Sequence, residues 1–316
     1  MPIRHGCIVT APEPWGAGLH RPECVVGTSS GDVYVSDWQG GVGILRSDGS
    51  QQSWRARAAG FRLRPNGIAA LTDGSFLVAH LAEPGGVWRL ERDGRLEAFV
   101  TEVDGVPLPP ANFVTRDAEG RTWISVSTRQ NPRQRAWRAN IADGFVVLVD
   151  AKGPRIVADG LHYTNEVRVS PAGDALFVVE TFGRRLIRLP LSPASEVGAA
   201  ETIVTFGAGT FPDGFAFDEA GGIWITSLVS NRVLRLIGGR IETVIEDTNA
   251  SYVDEVERAF VDGTMQADHL GPIPDTTLQH VTSLTFAGAD RRTVYLGSLH
   301  ATCLYRFRSS VAGHES

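Results

Sequence analysis

A strand–turn–strand pattern recurs six times along this 316-residue chain and constrains the fold more than any other feature. Each copy has a small polar or acidic residue, a short apolar strand, a turn with Gly or Asp, and a second strand rich in aromatic or branched residues, as in Pro65-Asn66-Gly67-Ile68-Ala69 before Ser75-Phe76-Leu77-Val78. Third strands and hairpin turns follow. Repeats of about 40 to 50 residues are typical of four-stranded propeller blades. The pattern therefore predicts an all-β fold, a six-bladed β-propeller of four-stranded antiparallel blades.

One position of the repeat is polar in all six copies. Its residues are Glu23, Asn66, Asn112, Asn165, Asp213 and Thr282, spaced by 43, 46, 53, 48 and 69 residues. Because the first strand of each blade lines the central channel, these side chains are predicted to form a ring around the axis. Carboxylates and amide oxygens without thiols or imidazoles favour a hard cation such as Ca²⁺. The alternative is that Asn and Asp simply suit strand starts and turns.

The ends of the chain and one insertion complete the predicted architecture. We expect residues 1–316 to form one domain, with an N-terminal strand at about 6–10 closing the ring as the fourth strand of the last blade. The insertion at 248–277 carries Tyr252, Val256 and Phe260 at helical spacing, which predicts a short helix before the last blade. This insertion would be either a lid over the channel or a dimer contact.

Charge and apolar content exclude several partners. The formal net charge is −6 and no long run has one sign, so nucleic acid and a charged membrane surface are not expected partners. No apolar stretch approaches the roughly 18 residues that span a bilayer. The N-terminus lacks the apolar centre of a signal peptide, which leads us to expect a cytoplasmic protein.

Lysine and cysteine usage narrows the chemistry. Lys152 is the only lysine beside 29 arginines and lies in no GxxxxGK sequence, which excludes Schiff-base chemistry and a Walker-type phosphate loop. Three cysteines lack the spacing of a zinc site. We expect reduced thiols, with a Cys7–Cys303 bridge as the alternative.

Several repeats carry motifs that point to a known family. These are Pro65-Asn66-Gly67, Asn165 ahead of Val169-Ser170-Pro171-Ala172-Gly173-Asp174, and Pro212-Asp213-Gly214-Phe215-Ala216-Phe217-Asp218 with Gly221-Gly222-Ile223-Trp224. Over about residues 20 to 307, the chain resembles the gluconolactonase, senescence marker protein and luciferin-regenerating enzyme family. More distantly, it resembles diisopropyl fluorophosphatase and the paraoxonases.

The resemblance implies a site for one divalent cation. The implied ligands are Glu23, Asn112, Asn165 and Asp213, with Ca²⁺ favoured and Zn²⁺, Mn²⁺ or Mg²⁺ as alternatives. Two departures stand beside them: Cys24 follows Glu23 where the family usually has Gly, and Glu166 follows Asn165 where it again has Gly. Strand alternation should turn Glu166 away from the axis. The alternative is that it adds a charge near the metal.

The resemblance also implies a metal-dependent hydrolase, in the first place a lactonase acting on a small-molecule lactone or ester. Asp213 would be both a ligand and the carboxylate that accepts the water proton, Asn112 would bind the ion and orient substrate, and Asn66 would line the pocket. One alternative is an organophosphate or aryl-ester hydrolase. Another is a non-hydrolytic ligand-binding propeller or a metal-free one resembling strictosidine synthase. The sequence does not specify the native metal or the oligomeric state.

Further candidates lie near the predicted channel mouth. His280 is the preferred auxiliary acid or base, and His80, His162 and Glu180 lie on loops or strand ends of the same face. An insertion at 129–143 brings Arg129 and Trp137, together with Arg133, Arg135 and Arg138, and would hold an anionic or aromatic substrate. The alternative is a solvent-exposed arginine-rich loop, and a lone histidine is commonly structural.

Overall fold

Six four-stranded antiparallel sheets are arranged as the blades of a propeller in the computed structural model, which describes residues 7, 9–57 and 60–314. The predicted fold class is therefore confirmed. The first strand of each sheet lies at the channel and the last at the outside. A short hairpin, β10–β11, joins blades 2 and 3.

The strands are numbered along the chain. The N-terminal strand is β1 (Glu13–Trp15). Blade 1 contains β2 (Val25–Gly27), β3 (Val33–Asp37), β4 (Gly41–Leu45) and β5 (Gln51–Arg55). Blade 2 contains β6 (Pro65–Ala70), β7 (Phe76–His80), β8 (Val87–Leu90) and β9 (Leu96–Val100), and the hairpin is β10 (Glu102–Val103) with β11 (Val106–Pro107). Blade 3 contains β12 (Phe113–Arg116), β13 (Thr122–Val126), β14 (Gly144–Asp150) and β15 (Gly153–Leu161). Blade 4 contains β16 (Thr164–Val169), β17 (Ala175–Glu180), β18 (Arg185–Pro190) and β19 (Glu201–Thr205). Blade 5 contains β20 (Pro212–Phe217), β21 (Ile223–Ser227), β22 (Arg232–Ile237) and β23 (Arg240–Glu246). Blade 6 contains β24 (Val281–Ala287), β25 (Thr293–Ser298) and β26 (Leu304–Arg308), with β1 as its outer strand.

The N-terminal strand closes the ring, but further along the chain than 6–10. β1 pairs antiparallel with β26, so that Glu13 faces Arg306 and Trp15 faces Leu304. From the predicted segment, Val9 makes one isolated bridge, to Ser309, while residues 6 and 8 lie outside the described residues. The amide of Thr10 also donates to the Arg308 carbonyl at 2.9 Å, so the described part of the predicted segment runs beside the last blade, while the regular strand β1 begins at Glu13. As an edge strand, β1 tolerates Pro14.

The blades approach one another closely at the axis. A Cβ on Gly67 would lie 2.5 Å from the Cα of Phe113 in blade 3, and one on Gly214 would lie 2.5 Å from the carbonyl oxygen of Thr282 in blade 6. Each glycine directly follows a ring residue. The Asn-Gly and Asp-Gly pairs of the repeat therefore reflect close packing of inner strands, in addition to any role of their polar partners.

Blades 3 and 5 each contain a buried tryptophan that is hydrogen-bonded to an aspartate. Trp123 and Trp224 are fully buried on the second strands, and their indole nitrogens donate to Asp117 at 2.7 Å and Asp218 at 2.8 Å. Because a buried indole N–H needs an acceptor, each aspartate lets its blade bury a large aromatic ring.

Two insertions cover the channel face on which the inner strands begin, and we call residues 129–143 and 248–277 the cap. The second insertion contains the predicted helix, α1 (Ala250–Val261), which begins at Asn249, whose side chain accepts from the Tyr252 amide at 3.0 Å. Two 3₁₀ helices, Arg133–Ala136 and Ala267–Leu270, complete the cap. Within the described residues, no helix is long and apolar enough to span a membrane.

Aromatic packing and one ion pair attach the cap to the blades. Phe260 of α1 packs against Phe182 and Phe211 with ring centroids 5.7 and 5.3 Å apart. The Arg184 guanidinium lies over Phe260 and donates to both carboxylate oxygens of Glu257, at 3.0 and 2.6 Å. The two insertions therefore share one apolar core with the cap-facing ends of blades 4 and 5.

Candidate active site on the propeller axis

The six repeat residues meet at the axis, as the register predicted. All are buried, with exposed fractions between 0% and 6%. Asn66 donates from Nδ2 to Glu23 Oε1 and to the Asn112 carbonyl, both at 2.8 Å, and Asn112 Nδ2 donates to Asn165 Oδ1 at 2.6 Å. Thr282 closes the ring, because its hydroxyl donates to the Glu23 carbonyl at 2.7 Å.

Glu23 is the ring carboxylate with a cationic partner. Arg21 Nη1 donates to Glu23 Oε2 at 2.5 Å and to Asn66 Oδ1 at 2.7 Å. Burial raises the pKa of Glu23, and the positive charges of Arg21 and Arg133 offset only part of this increase. Arg21 was absent from the predicted site because it lies two residues outside the repeat position.

Asp213 has no such partner. Asn165 hydrogen-bonds its carboxyl, and within the described part of the chain no guanidinium or ammonium bonds to it. Burial, followed by the like charges of Glu23 and Glu166, raises the pKa of Asp213 well above its ordinary value. Asp213 is therefore a buried acid whose negative charge is left largely uncompensated.

Glu166 turns away from the axis, in agreement with strand alternation. Its Oε2 accepts from Arg168 at 2.9 Å and from the Phe215 amide at 3.2 Å, so it fills the gap between blades 4 and 5. Burial raises the pKa of Glu166. Its charge still contributes to the raised pKa of Asp213, and a role of this charge beside a bound metal stays a prediction.

Arg133 enters the ring from the cap. Its Nη2 donates to Asn112 Oδ1 at 3.0 Å and to Ser127 Oγ at 3.2 Å, while its Nε donates to the Tyr163 hydroxyl at 2.9 Å. Trp137 Nε1 donates to the same hydroxyl at 2.9 Å. Sequence reasoning placed Arg133 in the right insertion without distinguishing it from its neighbours, and Tyr163 gave no signal in the repeat.

The other predicted residues of this insertion differ in position. Arg129 forms a two-pronged ion pair with Asp159 on the outer strand β15, at 2.8 and 2.9 Å. Its donors are thus engaged away from the axis, and the structure gives no support to a substrate-binding role. Trp137 is buried against Phe182 and hydrogen-bonds the Tyr163 hydroxyl. Because that hydroxyl also accepts from Arg133, Trp137 contacts the ring only indirectly, through Tyr163 and Arg133.

His80, His162 and Glu180 lie beside the ring and are held by structural contacts. His80 is buried, with Nδ1 accepting from the Arg64 amide at 3.0 Å and Nε2 lying 2.9 Å from the Glu83 carbonyl. Glu180 accepts from the His162 amide at 2.5 Å and from the Arg185 side chain. These contacts join strand ends to loops, and substrate contact by these residues stays a prediction.

His280 packs between blade 5 and the cap. Its Nδ1 lies 3.1 Å from the Leu228 carbonyl and its Nε2 lies 2.7 Å from the Gly271 carbonyl. Burial lowers the pKa of His280 to about 4, despite both carbonyls. Because both ring nitrogens face backbone oxygens, these contacts favour a structural role over the predicted acid–base role.

The donor chemistry of the ring fits a divalent cation. Glu23 and Asp213 supply carboxylate oxygens and the two asparagines supply amide oxygens, and a cation would lower the raised pKa of Asp213. Over the described residues, no group of three or more His, Cys, Asp or Glu side chains forms a metal site, so the amides would be essential. Cys7, Cys24 and Cys303 are reduced thiols, as expected, and the alternative Cys7–Cys303 bridge does not form.

A cavity of about 490 Å³ lies at the opposite end of the channel. Its lining includes the turn between β16 and β17, Arg168, Phe217 and Phe286. The ring residues do not line it. The ring and this cavity are therefore separate sites of the propeller.

The fold and the ring together define a class of protein: closed six-bladed propellers that carry oxygen donors on their axis. Residues 22–245 match the family described as SMP-30/Gluconolactonase/LRE-like region, and the chain belongs to this family. The resemblance seen in the repeats is thereby confirmed.

Individual relatives agree with this membership. The 6-deoxy-6-sulfogluconolactonase of Pseudomonas putida is 27% identical over 229 residues, which are 71% of this chain and 65% of that protein, so the match spans less than two thirds of its length. A luciferin-regenerating enzyme superposes with a TM-score of 0.72 at 15% identity, over 98% of both chains. The calcium-binding protein regucalcin of Agrobacterium tumefaciens superposes with a TM-score of 0.63 at 16% identity, over 96% of this chain and 93% of that one. At such identities, the two superpositions show a shared fold.

Proposed function

We propose that this protein is a metal-dependent lactonase that opens a small-molecule lactone with water. The observation that carries the proposal is Asp213, a buried carboxyl without a cationic partner, which is one member of the ring of oxygen donors. Membership of the family and the name of the Pseudomonas putida relative support the reaction class.

One divalent cation, Ca²⁺ in the first place, would be held by Glu23, Asn112, Asn165 and Asp213. When bound, such an ion polarises a carbonyl and lowers the pKa of water. The calcium-binding regucalcin with the same fold supports the choice of Ca²⁺.

Asp213 is the proposed proton acceptor for the attacking water. The water oxygen bonds to the lactone carbonyl carbon, Asp213 takes the proton, and the bond from that carbon to the ring oxygen breaks as a proton returns to the leaving oxygen. Asn112 orients the substrate beside Asn66. Burial favours proton uptake by this carboxylate, and the bound cation would offset part of that effect.

The cap is the proposed lid. The ring residues are almost fully buried, so substrate reaches them only when the cap moves. The Arg184–Glu257 ion pair and the Phe260 contacts would hold the closed state, which excludes water from the reacting groups.

A lactonase assay with metal-stripped protein tests the proposal. Sugar lactones, aliphatic lactones and aryl esters are offered before and after addition of Ca²⁺, Mg²⁺, Mn²⁺ or Zn²⁺, with circular dichroism as the control for folding. We expect metal-restored turnover of a lactone. Folded, metal-loaded protein that hydrolyses no lactone would contradict the proposal.

A further inference from the structure

The guanidinium of Arg133 is placed by a network that leaves one of its nitrogens free. Nη2 is engaged by Asn112 and Ser127, and Nε by Tyr163, whose ring lies 5.3 Å below the guanidinium. Tyr163 is itself buried and fixed by Trp137. The side chain is therefore held in one orientation beside the ring.

Nη1 of Arg133 is buried and has no hydrogen-bond partner anywhere in the described part of the chain. A buried N–H of a guanidinium normally finds an acceptor, since leaving it unpaired is unfavourable. The charge of Arg133 lowers the pKa of Glu23, yet the hydrogen bonds that Glu23 accepts come from Asn66 and Arg21, and none comes from Nη1. The unused donor lies on a group that bonds directly to the ring residue Asn112.

Two further guanidiniums lie near the starts of the inner strands of blades 1 and 2. The guanidiniums of Arg21 and Arg64 lie 4.2 and 5.0 Å from the Trp38 ring. For the side chain of Arg64, no hydrogen bond or ion pair occurs among the residues described. Glu23 neutralises Arg21, so among the described residues Arg64 and Arg133 are the guanidiniums of this region without a carboxylate partner. A negatively charged ligand group would supply one.

We propose that Arg133 forms an anion subsite and that the preferred lactones carry a carboxylate or sulfonate, which accepts a hydrogen bond from Nη1. The proposal rests on the lactonase function above. A planar guanidinium with fixed orientation suits either anion, because both offer several coplanar or clustered oxygens. Arg64 adds long-range attraction from the start of blade 2.

Specificity ratios test the subsite. Metal-loaded protein is assayed with a neutral six-carbon sugar lactone and with two analogues that carry a carboxylate or a sulfonate at C6. We expect a higher kcat/KM for at least one anionic lactone. Arg133→Gln should lower the anionic-to-neutral ratio by about 10- to 100-fold, mainly through KM, and Arg133→Lys should restore part of it.

Arg135→Gln is the matched control, since Arg135 lies in the same 3₁₀ helix, is exposed and donates to the Asn131 carbonyl. It should leave the ratio unchanged. Thermal melting and cation titration of each variant show whether the fold and the ring persist.

Calorimetric binding of the open-chain C6-carboxylate and C6-sulfonate acids gives a readout that does not need turnover. Binding that Arg133→Gln weakens supports the subsite, and the two probes distinguish carboxylate from sulfonate. If lactones turn over but neither the ratio nor this binding depends on Arg133, the subsite is overturned and the lactonase function stands. If the acids bind through Arg133 and no lactone turns over, the lactonase function fails and the subsite stands.

Discussion

Asp213 and Asp218 lie at opposite ends of strand β20 and are both buried, with exposed fractions of 5% and 3%. Asp218 accepts from Arg235 Nε at 2.7 Å, from Trp224 Nε1 at 2.8 Å and from the Gly222 amide at 2.8 Å. Burial would raise the pKa of Asp218, but these three donors outweigh it and the pKa is lowered. For Asp213, burial and two like charges act together and the pKa is raised.

The difference shows what each carboxylate is for. Asp218 completes the packing of a tryptophan and an arginine, so its burial supports the fold. Asp213 is buried beside other acids without a compensating partner, an arrangement that disfavours folding and is common at functional sites.

The largest expected effect is on turnover. Asp213→Asn keeps the size of the side chain but removes the proton acceptor, so we expect kcat for lactone hydrolysis to fall by about 10²- to 10⁴-fold. Steady-state kinetics with saturating cation measures this, and Asp218→Asn serves as the comparison. Equal loss of kcat in both variants, in folded protein, would remove the functional distinction between the two residues.

For stability, we expect the larger effect from substitution of Asp218. Asp218→Asn leaves the buried Arg235 without its main partner, so we expect a loss of about 3 to 5 kcal/mol in the free energy of unfolding. Asp117→Asn, at the equivalent place in blade 3, should also destabilise the protein. Urea unfolding measures both, and a loss below about 1 kcal/mol for Asp218→Asn would argue against its assigned role.

The contribution of Asp218 should also depend on pH. Because its folded-state pKa is lowered from 3.8, its stabilisation is present above pH 3.8 and is lost as pH falls through the folded-state pKa. The gap between wild type and Asp218→Asn should narrow below pH 3.8. Unfolding at several pH values would show a constant gap if the carboxylate charge does not matter.

A bound cation should neutralise the charge of Asp213 and should not change the interactions of Asp218. At about 100 times its Kd, a cation that binds only the folded state adds about 2.7 kcal/mol to stability. Ca²⁺ should therefore raise the melting temperature of wild type and of Asp218→Asn, and have little effect on Asp213→Asn. The same shift in all three proteins would place the cation elsewhere.

The smallest effect concerns the cap. Glu257→Gln weakens a partly exposed ion pair with Arg184, so we expect a loss of about 1 kcal/mol and a raised KM. Glu255→Gln, on an exposed position of the same helix, is the control. A normal KM together with reduced stability would indicate that the pair supports packing without acting in closure.

Much of the fold could be predicted because the blade is repeated six times. Alternating apolar residues recur at each inner strand, and Tyr252, Val256 and Phe260 recur at helical spacing, so local pattern was enough for the propeller and for α1. The exact bounds of the closing strand did not follow from the sequence, because pairing of β1 with β26 depends on residues about 290 positions apart. Local signals do not report such a contact.

The site was predictable where it followed the repeat and not where it depended on the cap. One register position supplied the whole ring, whereas Arg129 and Arg133 looked alike in the sequence and differ completely in their partners. His280 was singled out by its position near Thr282, yet its contacts come from Leu228 and Gly271.

The sequence by itself determined the number of blades, the residue types on the axis and the lack of motifs for a Walker-type phosphate loop or a cysteine zinc site. These depend on composition, on spacing and on one periodic pattern. Only the tertiary structure decided which charges are compensated. Whether a buried carboxylate or guanidinium finds a partner depends on side chains from other blades, whose distance in space is unrelated to their distance along the chain. That is why Asp213 and Arg133 could be recognised as exceptions only in the folded protein.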